Sequence, residues 1–115
     1  ANFPGSGAEF AFLWGCLRIG LQEGVDFTYQ VPFAGGRLFR GGALLDFEFP
    51  PLNIGIRIQG LHWHAYAGGD KRASDLAQRI ALESAGMTVV DISDTFVLRA
   101  PIQAVQNAMR GMGDL

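Results

Sequence analysis

Residues 46–64 read DFEFPPLNIGIRIQGLHWH, and this stretch decides the fold. Successive residues of a strand point to opposite sides of a sheet. The alternation therefore predicts a strand over residues 43–49 with three apolar side chains on one side, Leu45, Phe47 and Phe49. The other side would carry Leu44, Asp46 and Glu48. An acid thus interrupts an apolar strand, which is an unusual place for a charge.

Two prolines follow that strand and cannot donate to a ladder, so Pro50–Asn53 is predicted to be a turn. Ile54, Ile56 and Ile58 then mark a second strand, with Gly55, Arg57 and Gln59 on its opposite side. Gly60 ends it. The stretch therefore predicts two consecutive strands joined by a tight turn.

Before this stretch, a helix is predicted over residues 7–22. Its apolar residues recur at helical spacing, and they are Phe10, Leu13, Trp14, Leu17 and Leu21. Residues 26–33 look like a strand, 70–85 like an amphipathic helix, and 87–92 like a short buried strand. Pro101 suits the first position of a last helix, which would run to about Met109. We predict a single α/β domain over residues 1–115, in the order αβββαβα, with a mixed central sheet flanked by helices.

The chain has 115 residues, is 49% hydrophobic and carries a formal net charge of −2. This composition is that of a globular chain and argues against a large basic surface for nucleic acid. No apolar run approaches a membrane span, and no signal peptide is evident, so we expect a cytoplasmic protein without membrane contact. Cys16 is the single cysteine, which excludes an internal disulfide, and its apolar neighbours indicate a buried thiol.

The residues that could carry chemistry are Asp46 and the histidines that follow the second strand. A carboxylate within an apolar strand is costly unless it is paired, ligated or exposed at an edge. His62 and His64 lie just beyond a strand end, where a histidine of near-neutral pKa can act as general base on water. Trp63 could stack on a nucleobase. The structural alternatives are a solvated face for Asp46 and a cap over the core for Trp63.

These residues resemble a known family. Asp46, the strand Ile54–Gln59 and the run Gln59-Gly60-Leu61-His62-Trp63-His64 look like the very-short-patch-repair (Vsr) endonucleases of the PD-(D/E)XK superfamily. The family's next helix and strand are matched downstream by Asp75, Leu82, Gly86 and the run Met87-Thr88-Val89. Met87 stands where the family usually has a tryptophan. The similarity covers residues 43–92 and implies a restriction-endonuclease-like fold.

The resemblance also implies site roles. Asp46 would bind Mg²⁺, or Mn²⁺ in its place, with the backbone carbonyl of Ile58 as second ligand and Glu48 or Glu9 as further candidates. His64 would be the general base, with Asp75 orienting it, and Gln59 would complete the catalytic set. Trp63 would contact DNA. Apart from the resemblance, Arg57, Lys71 and Arg72 are basic residues that could hold flanking phosphates, and His62 is a further candidate for binding nucleic acid. The implied activity is a metal-dependent DNA endonuclease or nickase, and a homodimer is left open.

Gln59 departs from the family pattern, which places a histidine or an acid at that strand end. A neutral amide oxygen compensates less of a divalent charge than a carboxylate does. The sequence therefore leaves a second function open, a catalytically inactive nuclease-fold module for nucleic-acid binding or protein assembly.

Overall fold

The computed structural model describes residues 7–32, 44–60 and 69–115, and within them the side chains of all but residues 30–32, 44 and 69–75. Helix α1 (Gly7–Arg18) is followed by strands β1 (Thr28–Pro32), β2 (Leu44–Phe49) and β3 (Ile54–Gln59). Helix α2 (Gly69–Ser84), strand β4 (Thr88–Ser93) and helices α3 (Asp94–Arg99) and α4 (Pro101–Met109) complete the order. A short 3-10 turn (Pro50–Leu52) joins β2 to β3.

The four strands form one mixed sheet in the order β1-β2-β3-β4. Strands β1, β2 and β3 are antiparallel neighbours, whereas β4 runs parallel to β3. The connection between these two parallel strands contains α2, as a parallel pair requires. The predicted small α/β domain with a mixed sheet and flanking helices is confirmed.

Each face of the sheet has its own core. On the first, which we call the α1 face, Phe12 of α1 packs on Phe47 with ring centroids 4.6 Å apart, and α3 and α4 add buried residues such as Val97 and Val105. The other, the α2 face, holds a smaller cluster in which Leu82 of α2 joins three sheet-side residues, Leu45, Met87 and Val89. Cys16 is buried in the larger core, as predicted.

Strand β2 does not keep the predicted alternation. Leu45 packs on the α2 face with Leu82, whereas Phe47 packs on the α1 face with Phe12. Asp46 turns towards α1, where it hydrogen-bonds to Glu9. The prediction that Leu45 and Phe47 share a side, opposite Asp46, was therefore wrong. The register with β1 is the same on both sides of Asp46, with Val31 opposite Leu45 and Tyr29 opposite Phe47, so the alternation of β2 breaks without an inserted residue.

The predicted apolar stripe of α1 differs from the structure. Helix α1 ends at Arg18 rather than near residue 22, because the chain turns at Gly20 with φ of +91°. Its buried residues are Ala8, Phe12, Gly15 and Cys16, while Phe10, Trp14 and Leu17 are exposed. On α2, Leu76 and Ile80 are likewise exposed. The last predicted helix begins at Pro101 and ends at Met109 as expected, but α3, which precedes it, was not predicted.

Among the described strands, β4 lies at an edge of the sheet, and Arg79, Asp114 and Leu115 contact its outer side. The carbonyl of Val89 accepts from Arg79 Nη2 at 3.0 Å, and that of Asp91 accepts from the Leu115 amide at 3.3 Å. Asp114 accepts from the amide of Ser93 at 2.7 Å and from its hydroxyl at 2.5 Å. Among the described residues, no helix is both long and apolar enough to cross a membrane.

Gly15 lets α1 approach α4 closely, and we expect Gly15→Ala to destabilise the protein. A Cβ there would lie 2.9 Å from the carbonyl oxygen of Pro101 and 3.0 Å from Val105 Cγ2. Overpacking of this kind costs about 1–3 kcal/mol, which outweighs the gain in helix propensity of about 1 kcal/mol. Urea denaturation followed by circular dichroism measures the change. Gly7→Ala is the matched control, since a Cβ at Gly7 meets nothing within 4 Å. Equal stability of the two variants would contradict this packing argument.

Candidate functional site

Two carboxyl groups from different elements meet on the α1 face of the sheet. Asp46 comes from the irregular point of β2, and Glu9 comes from the first turn of α1. Their side chains are hydrogen-bonded to each other. The backbone amide of Ile58 on β3 donates to Asp46 Oδ2 at 2.7 Å. The pair is therefore held by three elements of the core, α1, β2 and β3.

The pKa of Asp46 is raised from 3.8 to about 8. Burial is the main cause, because it disfavours the charged form, and the hydrogen bond and the charge of Glu9 act in the same direction. The Ile58 amide and the charge of Arg57 oppose the rise without cancelling it. Near neutral pH, Asp46 therefore holds a proton that it shares with Glu9.

The two groups that hydrogen-bond to Asp46 both line a cleft of about 520 Å³. The remaining lining residues are Gly7, Ala8, Gly60, Asp94 and Leu98. The cleft thus lies between the start of α1, the end of β3 and helix α3. Its described lining carries two acids, Glu9 and Asp94, and no basic side chain.

Ile58 stands beside Asp46, as its predicted role as a backbone ligand requires. In an extended strand the N–H and C=O of one residue lie on the same side. Since the Ile58 N–H points to Asp46, its carbonyl also lies on the β2 side of β3. The structure thus brings together three of the predicted site residues, Asp46, Glu9 and Ile58.

Asp94 is a lining residue that the sequence analysis missed. It is the first residue of α3, whose N-cap is Ser93, with the Ser93 hydroxyl accepting from the Phe96 amide at 3.1 Å. A Cβ at Gly60 would lie 3.7 Å from Asp94 Oδ2. The signal was present in the run Ser93-Asp94-Thr95, a capping serine followed by an acid directly after a buried strand.

Other predicted residues lie on the α2 face, away from Asp46. Arg57 is buried and pairs with Asp91, with Nε to Oδ1 at 2.9 Å. Gln59 Nε2 lies 3.5 Å from the same oxygen. Glu48 is paired directly opposite Gly55, whose Cβ position would touch Leu45 and Met87. Burial raises the pKa of Glu48. Gln59 and Glu48 therefore lie on the face opposite Asp46, whereas Arg57 on the same face still acts on Asp46 through its charge.

Arg79 of α2 completes the cluster around Asp91. It donates to Asp91 Oδ2 through Nη1, and its Nε lies 3.1 Å from Glu83 Oε2. Two guanidinium groups and an amide thus surround one carboxylate. This cluster ties β3, β4 and α2 together, which is a structural role for the predicted DNA-binding residue Arg57.

His62, Trp63 and His64 lie outside the described residues. Lys71, Arg72 and Asp75 lie on α2, where the structure describes the backbone and not their side chains. The predicted base, its orienting acid and most of the predicted DNA contacts are therefore expectations from the sequence.

In the described parts of the chain, no three His, Cys, Asp or Glu side chains are grouped so that they could hold a metal ion. The Asp46–Glu9 pair offers two carboxyl groups, and one or two carboxylates with water are a usual protein contribution to a Mg²⁺ site. Comparisons of the chain with protein-family models, curated proteins and solved structures found no match.

Proposed function

We propose that this protein is a metal-dependent DNA endonuclease or nickase of the restriction-endonuclease-like superfamily. The observation that carries the proposal is the convergence of Asp46 and Glu9 beside a cleft, with the pKa of Asp46 raised to about 8. Perturbed carboxyls next to clefts are typical of functional sites. The helix–three strands–helix–strand order and the resemblance of residues 43–92 to the Vsr endonucleases point the same way.

The carboxyl pair fits a hard divalent cation. A cation at the pair would take the place of the shared proton, since metal ligands bind as carboxylates. Asp46, Glu9 and the carbonyl of Ile58 would supply oxygen ligands, which Mg²⁺ and Mn²⁺ both accept. Once bound, the ion would offset charge on a phosphodiester.

Residues of the chain would orient the carboxyl group, accept the proton and bind the phosphates. The Ile58 amide fixes one oxygen of Asp46 at 2.7 Å, so the carboxyl cannot rotate freely. His64, as general base, would take a proton from the attacking water. Lys71 and Arg72 would hold flanking phosphates, a role in which lysine and arginine are common.

A plasmid-nicking assay with Mg²⁺ or Mn²⁺ tests this function. We expect the wild type to nick supercoiled DNA, Asp46→Asn to fall to background, and His64→Ala to lose about 10²-fold or more. Asn keeps the size of Asp and can still accept from the Ile58 amide, so the loss would reflect the missing charge. Glu23→Gln, at an exposed carboxylate outside the cleft, is the control and should cleave like the wild type. Metal-dependent cleavage that survives both site substitutions would refute the mechanism.

The second candidate is a catalytically inactive nuclease-fold module. The side chain of Gln59 contacts Asp91 and lies away from Asp46. This contact favours the inactive module, because β3 then supplies no side-chain oxygen to the Asp46–Glu9 pair. This candidate predicts no cleavage of duplex, single-stranded or branched DNA by the wild type. Retained DNA binding in that case would separate a nucleic-acid-binding module from one that serves assembly alone.

A further inference from the structure

Ser93 is the last residue of β4, and one carboxylate binds both its backbone and its side chain. The residue is buried, at 2% exposed. Its backbone amide donates to Asp114 Oδ1 at 2.7 Å, and its hydroxyl donates to Asp114 Oδ2 at 2.5 Å. Hydrogen bonds to an ionised acceptor are shorter and stronger than those between neutral groups. Asp114 therefore fixes the end of β4.

The same hydroxyl caps helix α3. Its oxygen accepts from the Phe96 amide at 3.1 Å. A serine hydroxyl has one hydrogen to donate. Because Asp114 accepts that hydrogen, the oxygen keeps its lone pairs for the helix. A six-residue helix is too short to be stable by itself, so its first turn depends on this cap and on packing. Asp114 thus acts on the start of α3 through Ser93.

The residue after Ser93 lies in the cleft. Asp94 is the first residue of α3 and lines the cleft together with Gly60. Gln59 and Ser93 are partners in the parallel register of β3 and β4, so the two strands end side by side. A Cβ at Gly60 would lie 3.7 Å from Asp94 Oδ2. The position of the Asp94 carboxyl in the cleft therefore depends on the first turn of α3.

Asp114 is itself held in place by backbone hydrogen bonds on both sides. Before it, the Met112 amide donates to the carbonyl of Asn107 on α4 at 3.0 Å. After it, the Leu115 amide donates to the carbonyl of Asp91 on β4 at 3.3 Å. The carboxylate is thus fixed between α4 and β4 and gives Ser93 a rigid partner.

We propose that Asp114 is a positioning residue of the cleft, which holds the Asp94 carboxyl on the cleft wall through the cap at Ser93. Asp114 does not line the cleft itself. Asp94 and Glu9 are the two acids of the described lining, so their positions set where negative charge meets an approaching cation. The inference rests on the proposed function for the role of the cleft, and it adds a residue that controls the shape of this site from outside.

Two amide signals in NMR spectra of the full chain test the proposal. The Phe96 amide donates to the cap, and its hydrogen exchange should be about fivefold faster in Asp114→Ala, as for the loss of a cap. The Gly60 amide reports the neighbouring Asp94 carboxyl. Asp94→Asn should therefore shift the Gly60 signal in the wild-type background, and less than half as much in the Asp114→Ala background.

Asp114→Asn is the conservative variant, and it should fall between the wild type and Asp114→Ala in both signals. Its side-chain oxygen can still accept from the Ser93 amide, but its NH₂ group cannot accept from the hydroxyl. Asp26→Ala is the matched control. Asp26 Oδ2 also accepts a backbone amide, that of Gln22 at 2.8 Å, but Asp26 lies in the turn after α1 and does not line the cleft. Both signals should stay as in the wild type.

Two results would overturn the proposal. The first is an unchanged exchange rate of the Phe96 amide in Asp114→Ala. The second is a variant that loses stability yet keeps the full response of Gly60 to Asp94→Asn, since Asp114 would then have a purely structural role.

Neither signal depends on cleavage, so a wild type that fails to nick DNA would refute the proposed function and not this inference. If the wild type nicks DNA, Asp94→Asn/Asp114→Ala should cleave no more slowly than Asp94→Asn, because Asp114 acts through Asp94. Additive losses of rate would contradict that order of action.

Discussion

Replacement of Arg57 by methionine is expected to lower the free energy of unfolding by about 3–5 kcal/mol. Arg57 is only 5% exposed, and its guanidinium pairs with Asp91 through Nε at 2.9 Å and Nη2 at 3.4 Å. Its loss leaves Asp91, which is also buried, with less compensation for its charge. Arg79 and Gln59 still contact Asp91, so the lower end of the range is expected.

Urea denaturation at pH 7 measures this effect, and the double variant Arg57→Met/Asp91→Leu is its control. Removing both charges should recover much of the loss, because apolar groups of similar size often replace a buried ion pair without penalty. Arg79→Gln should cost less than Arg57→Met, since Arg79 is one third exposed. A loss below about 1 kcal/mol in Arg57→Met, or no recovery in the double variant, would contradict a buried ion pair at this position.

The stability of the wild type is expected to fall as the pH rises from about 4 to about 8, and Asp46 is the main reason. Its pKa is 3.8 in the unfolded chain and about 8 in the fold. Between these values the unfolded chain releases a proton that the folded one retains, so a rise in pH favours unfolding. Below pH 4 both states are protonated, and above pH 8 both are ionised. Allowing for the partial exposure of Asp46, we expect a total loss of about 2–4 kcal/mol.

Asp46→Asn separates this effect from all other titrations. The amide carries no charge, so the variant should be more stable than the wild type at pH 8 and nearly equal to it at pH 4. Free energies of unfolding from urea titrations at each pH give the difference curve. In Glu9→Gln the midpoint of the fall should move to lower pH, because the raising influence of Glu9 is gone. Parallel curves for the wild type and Asp46→Asn would contradict the raised pKa.

The sequence was sufficient to predict the strands and the order of the main elements. The Pro50–Asn53 turn and the Ile54-x-Ile56-x-Ile58 alternation predict β2 and β3 to within a residue, because turn chemistry and the period of two are local properties. The start of the final helix is likewise predicted by a local signal, Pro101. Helix α3 was not predicted, because it spans only Asp94–Arg99 and is too short to show a helical period of apolar residues.

Tertiary packing determines which side of α1 is buried, and the sequence pattern does not predict it. The apolar stripe on α1 predicts a buried side, yet Phe12 and the small residues Ala8, Gly15 and Cys16 are buried instead. Small side chains let α1 approach the sheet and α4, and hydrophobic periodicity alone does not register such a fit.

For the site, the sequence identified Asp46, Glu9 and Ile58 as candidates, but not that Asp46 and Glu9 would share a proton. That pairing depends on the break in the β2 alternation. Without the break, the period of two would turn Asp46 to the opposite side of the sheet. No periodic rule anticipates such a break.

The contacts along the outer side of β4 have a consequence for aggregation. An edge strand with open amides and carbonyls is a template for a strand from another molecule. Here Arg79, Asp114 and the Leu115 amide already occupy such groups at Val89, Asp91 and Ser93. Gly113 allows the close approach, because a Cβ there would overlap the carbonyl of Asp91. An incoming strand would first have to displace these residues, so the chain protects this edge against growth of the sheet into a fibril.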